Sequence, residues 1–193
     1  MLLGHGTSAS NLQSIFSEGI EPRGSTASNW PDTPSSEDLV YLSPCYAFYF
    51  AEKAAQQGED LAILEVDIDP EKLYPDEDFL GQAKTGYEDL YPNLIERTLF
   101  LKERIRTFSQ EEIKMLAQES LTHLGTVGHA GTIQPFHIKR VAVVPHQEIV
   151  RIVLQEFDPV ICLANYRYLG TKHTAFQESL FDRFPAPEFV RLT

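Results

Sequence analysis

Residues 61–68 read Leu-Ala-Ile-Leu-Glu-Val-Asp-Ile, and their alternation sets the fold class. Ala62, Leu64, Val66 and Ile68 fall on one side and Glu65 and Asp67 on the other, the period of a half-buried strand. Just upstream, Ser43-Pro44 has the form of an N-cap and first-turn proline. It predicts a helix through roughly Gln57, with Tyr46, Tyr49, Phe50 and Lys53 on or near one face. Leu39 to Leu42 reads as a short strand before it, and residues 21–38, rich in Ser, Pro, Thr, Asn and Asp, read as a loop. At the amino terminus Met1 to His5 is a strand ending in His5-Gly6-Thr7. Ser10 with Gln13 forms a capping-box pattern, Asn11 is a further candidate cap, and Gly19 followed by Ile20 ends the helix.

Downstream, Asp69-Pro70 starts a turn, and Tyr74 to Asp78 reads as an acidic, solvated loop. Residues 92–121 are helical, with a second capping box at Ser109 and Glu112. Gly125 to Gly131 reads as a strand with tight turns and Lys139 to Val144 as another, while Ile149 to Leu154 is open between strand and helix. Asp158-Pro159 and Thr174 to Phe181 read as two closing helices. Strands at both ends of the core with helices inserted between them predict an α+β class.

A length of 193 residues fits one domain, 1–193, with 92–121 as a helical insertion and 145–193 packed outside the core. Sixteen basic against 28 acidic residues give a net charge of −12, which opposes a non-specific nucleic-acid binder and favours a protein partner over a nucleic acid. Cys45 and Cys162 form no disulfide framework, and no apolar run approaches a membrane span, so a cytoplasmic protein with no membrane partner is expected.

The chain has no GxGxxG after a strand, no Walker loop, no HExxH and no GxSxG. Its six histidines lack compact metal-ligand spacing, although His129 and His137 could meet across a sheet; no metal site is expected. Asp76, Glu77 and Asp78 could hold a divalent ion, but a solvated face is the simpler reading. Asp76 and Asp78 could also steer an acceptor or a ribose, and Trp30 could close a loop over a ligand.

The informative series is His5-Gly6-Thr7 at a strand end, then Val40-Tyr41-Leu42-Ser43, then Tyr46-Ala47-Phe48-Tyr49 on a helix, then 61–68 and Leu73-Tyr74. In order and spacing it resembles the ADP-ribosyltransferase superfamily, in the poly(ADP-ribose)-polymerase and diphtheria-toxin-like branch with its His-Tyr-Glu signature. The resemblance runs over about 3–76 and 125–144. It implies a split, mainly antiparallel sheet and NAD as co-substrate. His5 would bind the adenosine ribose, donating from a ring nitrogen, Gly6 would grip the nicotinamide carboxamide through its backbone, and Thr7 could touch the ribose. Tyr41 and Tyr49 would sandwich nicotinamide, and Ser43 stands as a substitute for a carboxamide-binding serine, Tyr46 occupying the usual position.

The branch's catalytic glutamate has no counterpart before Thr132-Ile133-Gln134-Pro135; Thr126 and His129 occupy the approximate place, and Glu119 is the nearest preceding acid. The expected activity is therefore single ADP-ribose transfer to a protein or nucleic-acid acceptor with release of nicotinamide, not chain extension. A microbial toxin or defence effector is the setting implied. Two alternatives stand beside it. One is an RNA 2′-phosphotransferase-like enzyme, disfavoured by the shortage of basic residues; the other is a non-catalytic module that binds NAD, ADP-ribose or a partner. A pocket accepting a pyrophosphate in so acidic a chain requires a local cation, with Arg23 and Lys53 as the candidates.

Overall fold

In the computed structural model, residues 1–24, 35–83, 86–157 and 166–186 are described; Trp30, the Asp158-Pro159 pair and Cys162 lie outside them. Helices and strands are mixed, as an α+β class requires, and the strands form two antiparallel three-stranded sheets. In the first, β3 (Leu61–Asp67) runs between β1 (Leu2–Ser8) and β6 (Ile138–Val144), with His5 opposite Leu64 and Leu64 opposite Val141. In the second, β5 (Val127–Ala130) runs between β2 (Leu39–Leu42) and β4 (Leu73–Pro75). The sheets touch through one bridge, in which Gly4 and Ser43 exchange backbone bonds of 2.8 and 2.9 Å. Beyond that bridge the strands part.

The alternation of 61–68 predicts one wet face, but β3 is buried from Leu61 to Val66. Its central place explains this. Ala62, Leu64 and Val66 enter a core shared with Leu42, Val127 and α5 (Gln110–His123), while Leu61 and Ile63 enter a second core with Phe48, Val144, Ile152 and Leu180. Glu65 shares the second face only because Arg140 reaches it, donating from Nε at 2.8 Å and lying 4.5 Å over the Phe181 ring. A buried carboxylate without such a partner is costly.

The second core is closed by α2 (Ala47–Ala54), α6 (His146–Gln155) and α7 (Tyr166–Arg183), so 149–154 is helical. Helix α2 stops three residues short of Gln57, because the Gln56 amide donates to the Glu59 carboxylate at 2.8 Å, a side-chain capture that competes with the next helical turn. The capping box at Ser10 does not form. Ser8 instead caps a single 3₁₀ turn, Ala9–Asn11, and α1 (Leu12–Glu18) follows without a side-chain cap from Asn11. Gly19, at φ 98°, ends α1, and a side chain there would also meet the Ile133 carbonyl at 2.5 Å.

The acidic stretch 74–78 is not a solvated loop. Asp76 accepts from the Asp78 amide at 2.9 Å and caps α3 (Glu77–Gln82), whose Phe79 and Leu80 pack with Leu101 of α4 (Leu94–Arg104) and Leu116 of α5. The inserted helices thus have a small core of their own, and their second capping box, Ser109 with Glu112, is formed. Among the described residues no helix is long and apolar enough to cross a membrane.

Candidate functional site

A cavity of about 520 Å³ opens where the two sheets part, within the range of small-molecule sites. His5, Gly6 and Thr7 come from β1, Tyr41 from β2, Tyr49 and Lys53 from α2, Asp76, Glu77 and Asp78 from the start of α3, and Thr126 from the approach to β5. Five of the expected NAD-contacting residues therefore meet on one surface, although they are spread over 45 positions of sequence.

His5 is held by its ring. Its Nδ1 donates to the Tyr41 carbonyl at 3.1 Å, which leaves Nε2 as the acceptor in the neutral imidazole. Burial lowers the His5 pKa and outweighs the carbonyl bond that raises it, so the ring is neutral at pH 7. A ribose hydroxyl at Nε2 would thus donate to His5, the reverse of the polarity expected from sequence.

Gly6 has two duties. A Cβ there would stand 1.8 Å from the Ala47 carbonyl oxygen and 2.6 Å from the Ala51 nitrogen, so only glycine lets α2 lie this close to β1. Strand alternation also puts the Gly6 amide and carbonyl on the edge that Gly4 uses to bond Ser43. Past the bridge no β2 backbone group meets them among the described residues, and the edge faces the cavity.

Tyr41 is tied to a carboxylate. Its hydroxyl donates to Glu77, and both Tyr41 Oη and Glu77 Oε1 accept from the Ser36 amide, at 2.8 and 2.9 Å. Burial first, then the negative charges of Glu77 and Asp76, push the phenol far above the usual tyrosine range, so it remains a donor. Tyr49 lies across the cavity with Lys53 5.4 Å over its ring, and Phe50 tilts against it at 6.0 Å between centroids. Thr7 Oγ1 accepts from Asn11 Nδ2 at 2.9 Å, which turns Asn11 into the cavity wall instead of a helix cap.

Two expected site residues are elsewhere. Ser43 is fully buried off the cavity, its hydroxyl accepting from the Cys45 and Tyr46 amides at 3.0 and 2.8 Å to start α2, so it has nothing left for a carboxamide. His129 is three residues from Thr126 and so faces the other side of β5, where Nδ1 donates to the Gly131 carbonyl at 3.2 Å. Thr126 is retained on the cavity wall. Arg23 and Lys53 both line the cavity. Arg23 also clamps the loop base, donating from Nε to the Ser35 carbonyl at 3.1 Å.

The residues that sequence reasoning misplaced are Asp76 and Glu77. Glu77 is 7% exposed, and burial with its neighbours Glu77 and Asp78 pushes the Asp76 carboxyl up to about 7. The missed signal is helical: an Asp followed by Phe79, Leu80 and Ala83 at helical spacing is an N-cap before an apolar face. Together these groups make a cleft with an aromatic side, a neutral imidazole acceptor, a free strand edge and a carboxylate held by a phenol. No family model, curated protein or solved structure matches the chain.

Proposed function

We propose that the chain is an NAD-dependent mono-ADP-ribosyltransferase, and that the two sheets joined at Gly4 and Ser43 are the split sheet of that superfamily. The observation that carries the reading is the meeting of His5, Tyr41 and Glu77, from three separate segments, on one cavity wall. His5 and Tyr41, the His and Tyr of the resemblance, both line the cavity, which supports the reading. Glu77 supplies the carboxylate missing ahead of Thr132, entering from the opposite edge of the β2-β5-β4 sheet.

In this reading Nε2 of His5 accepts a bond from the adenosine ribose, and the open edge at Gly6 offers one donor and one acceptor to the nicotinamide carboxamide. Tyr41 and Tyr49 flank the ring, and Lys53 with Arg23 balances the pyrophosphate. Cleavage of the bond between nicotinamide and ribose passes through an oxocarbenium-like state, and the carboxylate of Glu77 stabilises its developing positive charge. Tyr41 holds that carboxylate in place.

The test is incubation with NAD labelled in its adenosine half, with cell lysate as acceptor. Nicotinamide release is followed by chromatography, and label is counted in protein, RNA and DNA fractions. Release with label in the protein fraction, both lost in His5→Ala, is expected. NAD binding with neither release nor transfer would leave only a binding module, and undiminished release in His5→Ala would remove the site assignment.

A further inference from the structure

The Glu77 carboxylate is buried, and among the described residues no Lys or Arg forms an ion pair with it. Its chain neighbours Asp76 and Asp78 add only negative charge. What holds it is the Tyr41 phenol and one backbone N–H. That N–H belongs to Ser36 and donates at once to Glu77 Oε1 at 2.9 Å and to Tyr41 Oη at 2.8 Å. A carboxylate taken out of water needs opposing charge or well-aimed donors. The direction of this single N–H therefore decides where the carboxylate and the phenol sit.

The other end of the same peptide group is gripped by a cation. The Ser35 carbonyl accepts from Arg23 Nε at 3.1 Å and from Nη2 at 2.6 Å. The Ser35 hydroxyl accepts from Nε as well, at 3.1 Å, and Nη1 donates to the Gly24 carbonyl at 3.1 Å, so the guanidinium is held on both flanks. Beside it the Gly24 amide donates to the Glu37 carbonyl at 3.1 Å, which ties the two arms of chain together. A trans peptide is planar, with its C=O and N–H on opposite sides. Two donors on the Ser35 oxygen thus fix the plane and, with it, the direction of the Ser36 N–H. They also polarise the group, and hydrogen bonds in a chain strengthen one another.

We propose that Arg23 is the positioning residue of Glu77 and acts through the Ser35–Ser36 peptide: its fork grips the carbonyl, and the N–H at the far side fixes the Glu77 carboxylate and the Tyr41 phenol. The proposal rests on the transferase reading and goes beyond it, giving Arg23 a part in turnover that is separate from charge balance at the pyrophosphate. In that reading the carboxylate must face the ribose carbon as positive charge develops there. A misplacement of about 1 Å in such a group can cost about a hundredfold in rate. The task requires arginine. Lysine keeps the charge but is a point donor, and it cannot set two N–H groups of a rigid plane on one oxygen. A lysine at 23 therefore preserves charge near the pyrophosphate while losing the grip on the peptide. The exposed Glu37 carboxylate, 4.0 Å from Nη2, contributes little to that grip.

The test uses the full chain as wild type, Arg23→Lys and Glu37→Gln. Two readouts need no NAD: the NMR signals of the Ser36 amide proton and of the Tyr41 Cζ carbon. The third is nicotinamide release, resolved into kcat and KM for NAD. In wild type the Arg23 Nε and Ser36 amide protons should both resist exchange with solvent. In Arg23→Lys the Ser36 and Tyr41 signals should shift, kcat should fall about tenfold or more, and KM should stay within about threefold. Glu37→Gln, which removes only an exposed ion pair, should match wild type throughout. In Arg23→Ala, guanidinium ion below denaturing concentration should restore part of kcat, and ammonium ion none. Fast exchange at either proton in wild type overturns the proposal whatever the stability of the variants, as do Ser36 and Tyr41 signals unmoved in Arg23→Lys. A raised KM with kcat unchanged also overturns it, since Arg23 would then serve the pyrophosphate alone. These outcomes leave the transferase reading intact. Shifted signals in Arg23→Lys, with no nicotinamide release from wild type, overturn the transferase reading and the positioning role with it.

Discussion

Replacing Asp76 by Asn should stabilise the protein above neutral pH while leaving acid stability nearly unchanged. Asparagine keeps the side-chain oxygen that accepts from the Asp78 amide, so the α3 cap survives. What it removes is a carboxyl crowded by Glu77 and Asp78. The folded carboxyl titrates at about 7 against an ordinary value of 3.8. Below the lower value both states are protonated and the group contributes nothing to the pH dependence. Between the two, the unfolded chain has lost the proton and the folded chain keeps it, so stability falls as pH rises. Above 7 the loss is complete. A shift of this size corresponds to about 4 kcal/mol as an upper bound. Asp76 retains some exposure, and relaxation with local water reduces that to roughly 1–3 kcal/mol. Urea unfolding of the wild type and Asp76→Asn at pH 4, 5.5, 7 and 8.5 measures it. The variant's advantage should grow across this range by the stated amount. A difference between the two that stays constant with pH, or that turns against the variant as pH rises, would refute the reasoning.

Gly6→Ala should destabilise by at least about 3 kcal/mol or prevent folding, because the added carbon meets helix backbone and not a movable side chain; denaturant midpoints decide this. Tyr41→Phe strips Glu77 of its phenol donor but leaves the Ser36 amide bond, so a loss of about 1.5–3 kcal/mol in thermal unfolding should accompany a marked fall in nicotinamide release. An undiminished release in that variant would remove the positioning role. Burial holds the His5 pKa below its usual 6.5, so His5 costs stability only as pH falls below that value. In Asp76→Asn, which removes the carboxyl that titrates at about 7 in the same cavity, NAD affinity measured by calorimetry should accordingly be flat from pH 7 to 8.5.

The α+β class, every strand but β4 and the second capping box were legible because each rests on local pattern: alternation at 61–66, the apolar run of 138–144, the Ser109–Glu112 spacing; Tyr74 and Pro75 of β4 were read as loop. The meeting of His5, Gly6, Thr7, Tyr41 and Tyr49 on one cavity was expected only through the family resemblance that their order along the chain carries. Burial of β3 on both faces was not, since alternation reports polarity and Arg140 reaches Glu65 from 75 residues away. Ser43 and Asn11 were misassigned for one reason: a short polar side chain can cap backbone or face a ligand, and the competing partner decides. Glu77 was hidden because charge runs are usually solvated, and only tertiary pairing with Tyr41 draws it inward.

The most direct measurement is a crystal structure of the protein with a non-cleavable NAD analogue. The account predicts the nicotinamide between Tyr41 and Tyr49 with its carboxamide on the Gly6 edge, the adenosine ribose at His5 Nε2, and the Glu77 carboxylate beside the nicotinamide ribose. An analogue bound elsewhere, or a nicotinamide ribose remote from Glu77 while His5 makes no ribose contact, would contradict it.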